Sequence, residues 1–533
     1  MLLFNFILAM LPIFWLIIAL SKLKMASYKA CGIALAITAV LAASYWKLNI
    51  VHISSAALEG ALSALWPICL VIIAALFTYN LTVSTGAMDV IKKMLAGISD
   101  DTRILMLIIG WGFGNFMEGM AGFGTAVAIP ASMLAGIGLD PIRAVTACLV
   151  MNTTPTSFGS VGVPTATLAS ITGLDLLSLS ADAARIQALH TFISPFLAII
   201  ICGGGLKALK GVWGVTFIAS VSFVAPYLLF SQLLGPELPN IIGSICSLLC
   251  MIAAVQLGKK IKSHVAGGKR SADAVQKEPG GTQPAQAESQ SQAVAQSSVG
   301  LLEGAVAWAP FVLIFIFLIM TSKLFPPLHN VIKDIKSSFL IYTGSGGKPL
   351  TFSWINTPGV IIFIAAVCGA LIQKARPAHI VGVLGATLKK YWATIVTICA
   401  VMAAAKIMIY SGMISDIARS VVAATGPVYP FIAPLIGVLG AFVTGSGTST
   451  NVLFGNLQQE TALSLGLNPY WITAANVMGA GIGKMVCPQN IAIGAGAINA
   501  SGSESTILTA VFKYFIVYAL LAGGICFAGT LMV

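Results

Sequence analysis

Charge is scarce in this chain of 533 residues: Lys, Arg, Asp and Glu together make 9%, against 58% hydrophobic residues, with a mean hydropathy of +0.95. So little charge excludes a soluble globular domain. Histidine is rare too, five in all. His52, His190, His264, His329 and His379 fall in no HExxH or other metal-ligand spacing, and neither a metal nor a cofactor is expected. The ten cysteines, from Cys31 to Cys526, form no CxxC or Cys/His cluster and sit in or beside apolar segments. They read as small hydrophobes rather than disulfides or ligands. The absence of GxxxxGK[ST] disfavours an ATP-driven motor within the chain.

What the chain has in abundance is apolar runs near the length of a bilayer crossing. Leu62 to Thr78 and Thr506 to Met532 are continuous, not alternating, which excludes a β-barrel and leaves a polytopic all-α membrane protein. The net charge of +12 lies mostly in short loops between these runs. It reports topology, and no nucleic-acid partner is expected. The first apolar run, Met1 to Leu20, is followed rather than preceded by basic residues (Lys22, Lys24, Lys29), the reverse of a cleaved signal peptide. It is kept as a first span with its N-terminus outside.

Following the basic loops from that start predicts spans near 2–20, 27–45, 57–83, 141–171, 187–206, 211–231, 238–258, 301–321, 356–374, 391–411, 469–497 and 506–531. Two stretches do not fit as crossings. Residues 104–137 and 428–465 are each interrupted by glycine, at Glu118 to Thr125 (EGMAGFGT) and at Thr444 to Asn451 (TGSGTSTN). Each is followed by a GLDP or GLNP turn, Gly138 to Pro141 and Gly466 to Pro469, and then by a proline-broken segment. The expectation is about twelve spans plus two re-entrant hairpins that enter from opposite faces, an inverted-topology repeat. Residues 259–298, rich in Gln, Ser, Ala, Gly and Pro after a basic cluster, read as a disordered cytoplasmic linker between halves 1–258 and 299–533.

Broken helices at membrane depth expose backbone amides and helix dipoles, which suit an anion. In the second tip, Thr444, Ser446, Thr448 and Ser449 add the donors that a hydroxylated carboxylate needs. For any single hydroxyl, satisfaction of its own backbone is the competing role. Glu118, an acid near the bilayer middle, is read either as a proton carrier or as the structural partner of a nearby Lys or Arg. The broken segments add Asn152, Thr153, Thr154 and Thr156, then Asn476, Lys484, Gln489 and Asn490. Lys484 is the best cation for a substrate carboxylate or for Glu118, unless it snorkels to the inner surface. Lys406 is a weaker candidate, and Arg143 marks the inner face.

EGMAGFGTAVAI at 118–129, NTTP at 152–155, TGSGTSTN at 444–451, GKMVCPQNIAI at 483–493 and GPELP at 235–239 closely resemble the bacterial lactate permease family. The resemblance runs over nearly the whole chain. It implies uptake of L-lactate, with D-lactate and glycolate, by proton symport across the bacterial inner membrane. It also implies relation to a larger ion transporter superfamily with inverted repeats and carboxylate sites at hairpin tips. The resemblance carries a ligand role to Gly445, Ser446, Gly447, Thr448, Ser449 and Asn451, and a first-copy role to Glu118, Gly122, Gly124 and Asn152. Gly447-Thr448 stands where some members have Asp-Thr, and the missing acid favours protons over sodium. A sodium-coupled carboxylate transporter is the nearest alternative. A membrane-embedded hydrolase using Ser446 or Ser449 is a remote one, with no base in reach.

Overall fold

The computed structural model describes residues 2–21, 23, 25–122, 124–272, 300–322, 325–347, 349–500 and 503–532. Among these residues, eight helical stretches are long and apolar enough to cross a bilayer: Ile50–Ser84, Leu176–Gly203, Trp213–Leu233, Pro239–Gly258, Leu302–Thr321, Pro377–Ser411, Met413–Thr444, which is broken at Gly426 into two helices, and Glu504–Gly529. Other expected crossings fall on shorter apolar helices such as Tyr28–Ser44 and Pro358–Ile372, or on segments broken in two.

One order of elements occurs twice. A long span (Ile50–Ser84 or Pro377–Ser411) ends at a left-handed glycine, Gly86 or Gly412, and an amphipathic helix follows, Ala87–Ala96 or Met413–Thr425. Next comes a pair of packed helices joined by a glycine tip: Gly114–Met120 with Thr125–Gly136, then Tyr429–Thr444 with Gly447–Ser464. The GLDP and GLNP turns then start new helices by one device. Gly138 and Gly466 take positive φ (93° and 67°), Asp140 and Asn468 cap the first turn with their side chains, and Pro141 and Pro469 fill a position where no N–H is needed. Each new helix is broken, as Pro141–Met151 with Gly159–Thr172 and as Pro469–Val486 with Pro488–Ala497, and a long span closes each copy.

The copies pack reciprocally. Gly159–Thr172 lies on the returning arm of the second hairpin, Gly447–Ser464, while Pro488–Ala497 lies on the returning arm of the first, Thr125–Gly136. Leu176–Gly203 packs on Pro469–Val486, and Glu504–Gly529 packs on Pro141–Met151. This exchange of equivalent contacts is what a pseudo-two-fold axis produces, and it brings both tips and both helix breaks to one place.

Several boundaries differ from the sequence reading. Helix Pro239–Ala272 continues through the residues of the basic cluster; residues 273–298 of the expected linker lie outside the described residues. The span expected at 391–411 begins at Pro377, so Lys389 and Lys390 lie on a helix with exposed side chains. The expected outer loop 322–354 contains a short helix, Pro326–Ile332, and an antiparallel pair, Lys336–Phe339 with Leu350–Ser353, a small β element in an otherwise helical chain. The two amphipathic helices fall between the expected elements, because their polar faces interrupt the apolar run.

Candidate functional site

The sharp turns at the tips depend on glycine. Gly445 (φ 69°) has no room for a side chain, since a Cβ would lie 2.3 Å from Gln489 Oε1, and at Gly122 (φ 61°) a Cβ would meet Ser160 Oγ at the same separation. The tips thus dock on the broken helices, and between them lies a cavity of about 330 Å³. Gly122, Gly124, Glu118, Lys484, Gln489 and the run Gly445 to Ser449 line it, together with Tyr28 of the helix Ser27–Ser44 and Thr394 and Thr397 of the long span Pro377–Ser411.

Four helices begin at this cavity: Thr125–Gly136, Gly159–Thr172, Gly447–Ser464 and Pro488–Ala497, each with a residue of its cap or first turn in the wall. Helix starts carry unpaired N–H groups and the positive dipole end, so the wall favours an anion. At the second tip Ser446 Oγ accepts from Ser449 N–H at 3.2 Å, and Thr444 Oγ1 donates to Gly440 O at 2.8 Å. Those two hydroxyls hold the loop, while the first-turn positions Gly447 and Thr448 face the cavity.

Lys484 Nζ donates to Glu118 Oε1 at 3.0 Å and to Thr156 Oγ1 at 3.2 Å, and Asn152 Nδ2 donates to Glu118 Oε2 at 3.0 Å. Glu118 and Lys484 are 2% and 7% exposed, so the ammonium points into the protein rather than snorkelling to the membrane surface. Both groups nonetheless border the cavity. A carboxylate entering there meets a lysine that already holds an internal carboxylate.

Other predicted residues stand elsewhere. Asn152 sits behind the cavity, on Glu118. Thr153 turns away and bonds Val150 O at 2.8 Å. Asn451 Nδ2 donates to Pro164 O at 2.9 Å and its Oδ1 accepts from Asn476 Nδ2 at 2.9 Å, which ties the second hairpin to both broken helices outside the cavity. Lys406 joins Glu59 at 2.8 Å, with Tyr410 donating to the same carboxylate. Arg143 reaches Cys202 O at 3.3 Å, on the basic face. Ser160, Tyr28, Thr394 and Thr397 were not anticipated. Thr394 and Thr397, three apart in an apolar span, carried a readable signal, whereas Ser160 faces the cavity through a left-handed stretch, φ 45° to 79° over 160–162, that its sequence does not announce.

At the base of the first hairpin, Arg103 grips Asp101 through Nε (3.0 Å) and a terminal nitrogen (2.7 Å), and donates to Ala208 O at 2.8 Å. This guanidinium holds the Asp101 carboxyl below the usual carboxylate range.

Residues 5–532 match the L-lactate permease family. The chain belongs to that family. Relatives of this family member include an L-lactate permease of Streptococcus iniae, 43% identical over 88% of this chain and 94% of the relative. An L-lactate permease and the glycolate permease GlcA of Escherichia coli K12 are each 32% identical, over 97% of this chain and 94% of the relative. Among solved structures, Neisseria gonorrhoeae MtrF, described as one of a class of antimetabolite efflux pumps, covers 97% of both chains with a TM-score of 0.53 at 12% identity, which shows a shared fold. This family member is therefore a multi-pass transporter of the bacterial inner membrane and not an enzyme.

Proposed function

We propose that the protein takes up L-lactate, with D-lactate and glycolate, together with a proton. The observation that carries this reading is the Glu118–Lys484 pair at the wall of a cavity where four helices begin. With Glu118 ionised, Lys484 is neutralised and a second carboxylate in the same low-dielectric space is repelled. Protonation of Glu118 frees the ammonium for the substrate carboxylate, and the first-turn amides at Gly447 and Thr448 supply further donors. Proton and anion then bind as a neutral set, and neither is favoured alone. The Thr394, Thr397 and Tyr28 hydroxyls that also line the cavity suit the substrate's own hydroxyl, Thr397 as an acceptor since it donates to Ala393 O. The names of the relatives support the substrate class.

Purified protein in liposomes should accumulate labelled lactate under an inward proton gradient with no sodium present. Accumulation driven by sodium alone would replace the proton reading with the sodium one. Competition by D-lactate, glycolate, pyruvate and malate measures the substrate range.

A further inference from the structure

We propose that Glu237 is the outer entry of a proton path to Glu118, running through Asn240 and Asn115 behind the first hairpin, apart from the substrate cavity. The proposal rests on proton coupling at Glu118. Glu237 lies in the turn between Trp213–Leu233 and the helix starting at Pro239, on the face opposite Lys207 and Lys210. It borders a second cavity, of about 350 Å³, shared with Asp175, His329 and Thr357. Thr357, which also lines it, has its Oγ1 buried with no partner among the described residues, and with Glu237, Asp175 and His329 it makes the wall polar.

The titratable groups around this cavity are Glu237, Asp175 and His329. The Asp175 carboxylate accepts from Ser178 N and Oγ, both at 2.8 Å, and His329 Nδ1 stands 2.9 Å from Thr321 O. Glu237 keeps some exposure at the cavity, yet protein encloses its carboxyl and burial pushes it up to about 7, where it takes and gives protons near neutrality.

From this turn inward the polar groups continue. Asn240, fully buried, donates from Nδ2 to Asn115 O at 2.9 Å and lies against Gly119. Its Oδ1 has no partner among the described residues, and neither has Asn115 Nδ2. Asn115 is three residues, nearly one helical turn, before Glu118 on Gly114–Met120. Tyr227, whose ring lies 5.1 Å from Phe158, adds another buried hydroxyl without a partner. Apolar residues would fill such positions without leaving polar atoms unpaired. None of these groups borders the substrate cavity. The same turn also presses Pro236 against Gly162, in the left-handed stretch that follows Gly159, itself beside Glu118 Oε1.

In the proposed step Glu237 gives its proton to water held by Asn240 and Asn115. The proton passes along that water to the Glu118 carboxylate, and the Glu237 carboxylate is reprotonated from outside.

The test is lactate-driven proton influx into liposomes holding the full chain and an entrapped pH dye, with lactate counterflow at equal pH measured alongside. Glu237→Gln and Asn240→Leu should each slow influx about tenfold and leave counterflow within about twofold, with Glu237→Asp restoring influx. Wild-type rates in both variants, with influx intact in the wild type, overturn the path alone. Equal loss of influx and counterflow in both variants overturns it in favour of a structural role. Wild-type protein that moves lactate without protons overturns the path together with the coupling on which it rests.

Discussion

Replacing Lys484 with methionine keeps an unbranched stem one atom shorter and deletes the charge, so it separates two properties that the ammonium combines. At 3.0 Å from Glu118 Oε1, the Coulomb attraction is about 5 kcal/mol with an effective dielectric constant near 20. In Lys484→Met the ionised Glu118 keeps, among the described residues, only Asn152 Nδ2 as a hydrogen-bond donor, and stranding one member of a buried pair costs about 3–5 kcal/mol. Glu118→Gln strands the lysine instead and should cost a similar amount. The double variant Glu118→Gln/Lys484→Met strands neither charge, so its stability should return to within about 1–2 kcal/mol of wild type. Binding should not return with it. A charge-assisted hydrogen bond is worth about 1.5–3 kcal/mol, so lactate affinity in the double variant should stay roughly 10- to 150-fold weaker. Thermal unfolding in detergent gives the first quantity and equilibrium lactate binding the second. Additive losses of stability would refute the energetic pairing, and wild-type affinity in the double variant would refute the anion-binding role.

Gly445→Ala forces a left-handed residue and a Cβ against Gln489. It should lower stability by about 1–2 kcal/mol and cut uptake, whereas Gly136→Ala, with open space at its Cβ, should do neither; melting curves and uptake rates decide. Thr394→Val and Thr397→Val replace hydroxyls in the cavity wall, and competition assays should show the preference for lactate over propionate falling about threefold to tenfold. The Asp101 carboxyl is held low by Arg103, so its contribution is present above the usual carboxylate range and is lost as pH falls through the lowered value. Asp101→Asn should therefore flatten the acid limb of a stability–pH profile. Glu237 has the opposite sign: with its carboxyl raised to about 7, wild-type stability should fall as pH climbs from the ordinary glutamate range to about 7. Melting temperatures of Glu237→Gln should lack that decline.

The tips were legible because glycines and clustered hydroxyls have no ordinary place in an apolar span. The GLDP and GLNP turns were legible because Gly, Asp or Asn, and Pro each fill one position of a helix start. Lys484 and Glu118 were both identified as site candidates, yet their contact joins residues 366 apart and comes from tertiary packing. The same limit hid the destination of Lys406, which pairs with Glu59, an acid inside the expected span 57–83 that went unnamed as a candidate. Asn451 and Thr153 share the composition of the tip and break residues, but backbone geometry turns them into ties between elements. The helices Ala87–Ala96 and Met413–Thr425 were missed because a search for apolar runs passes over faces that are only half apolar.

The two acids that pair with buried lysines, Glu59 and Glu118, belong to the first half of the chain, and their lysines, Lys406 and Lys484, to the second. During synthesis the earlier spans therefore enter the bilayer with carboxyl groups whose partners have not yet been made. Until the later spans arrive, the early half carries two acids in apolar segments without their opposite charges, a costly arrangement in a bilayer. A product that stops before Lys406 keeps Glu59 and Glu118 without the lysines that pair them, so the buried charges of the first half are balanced only by residues made last.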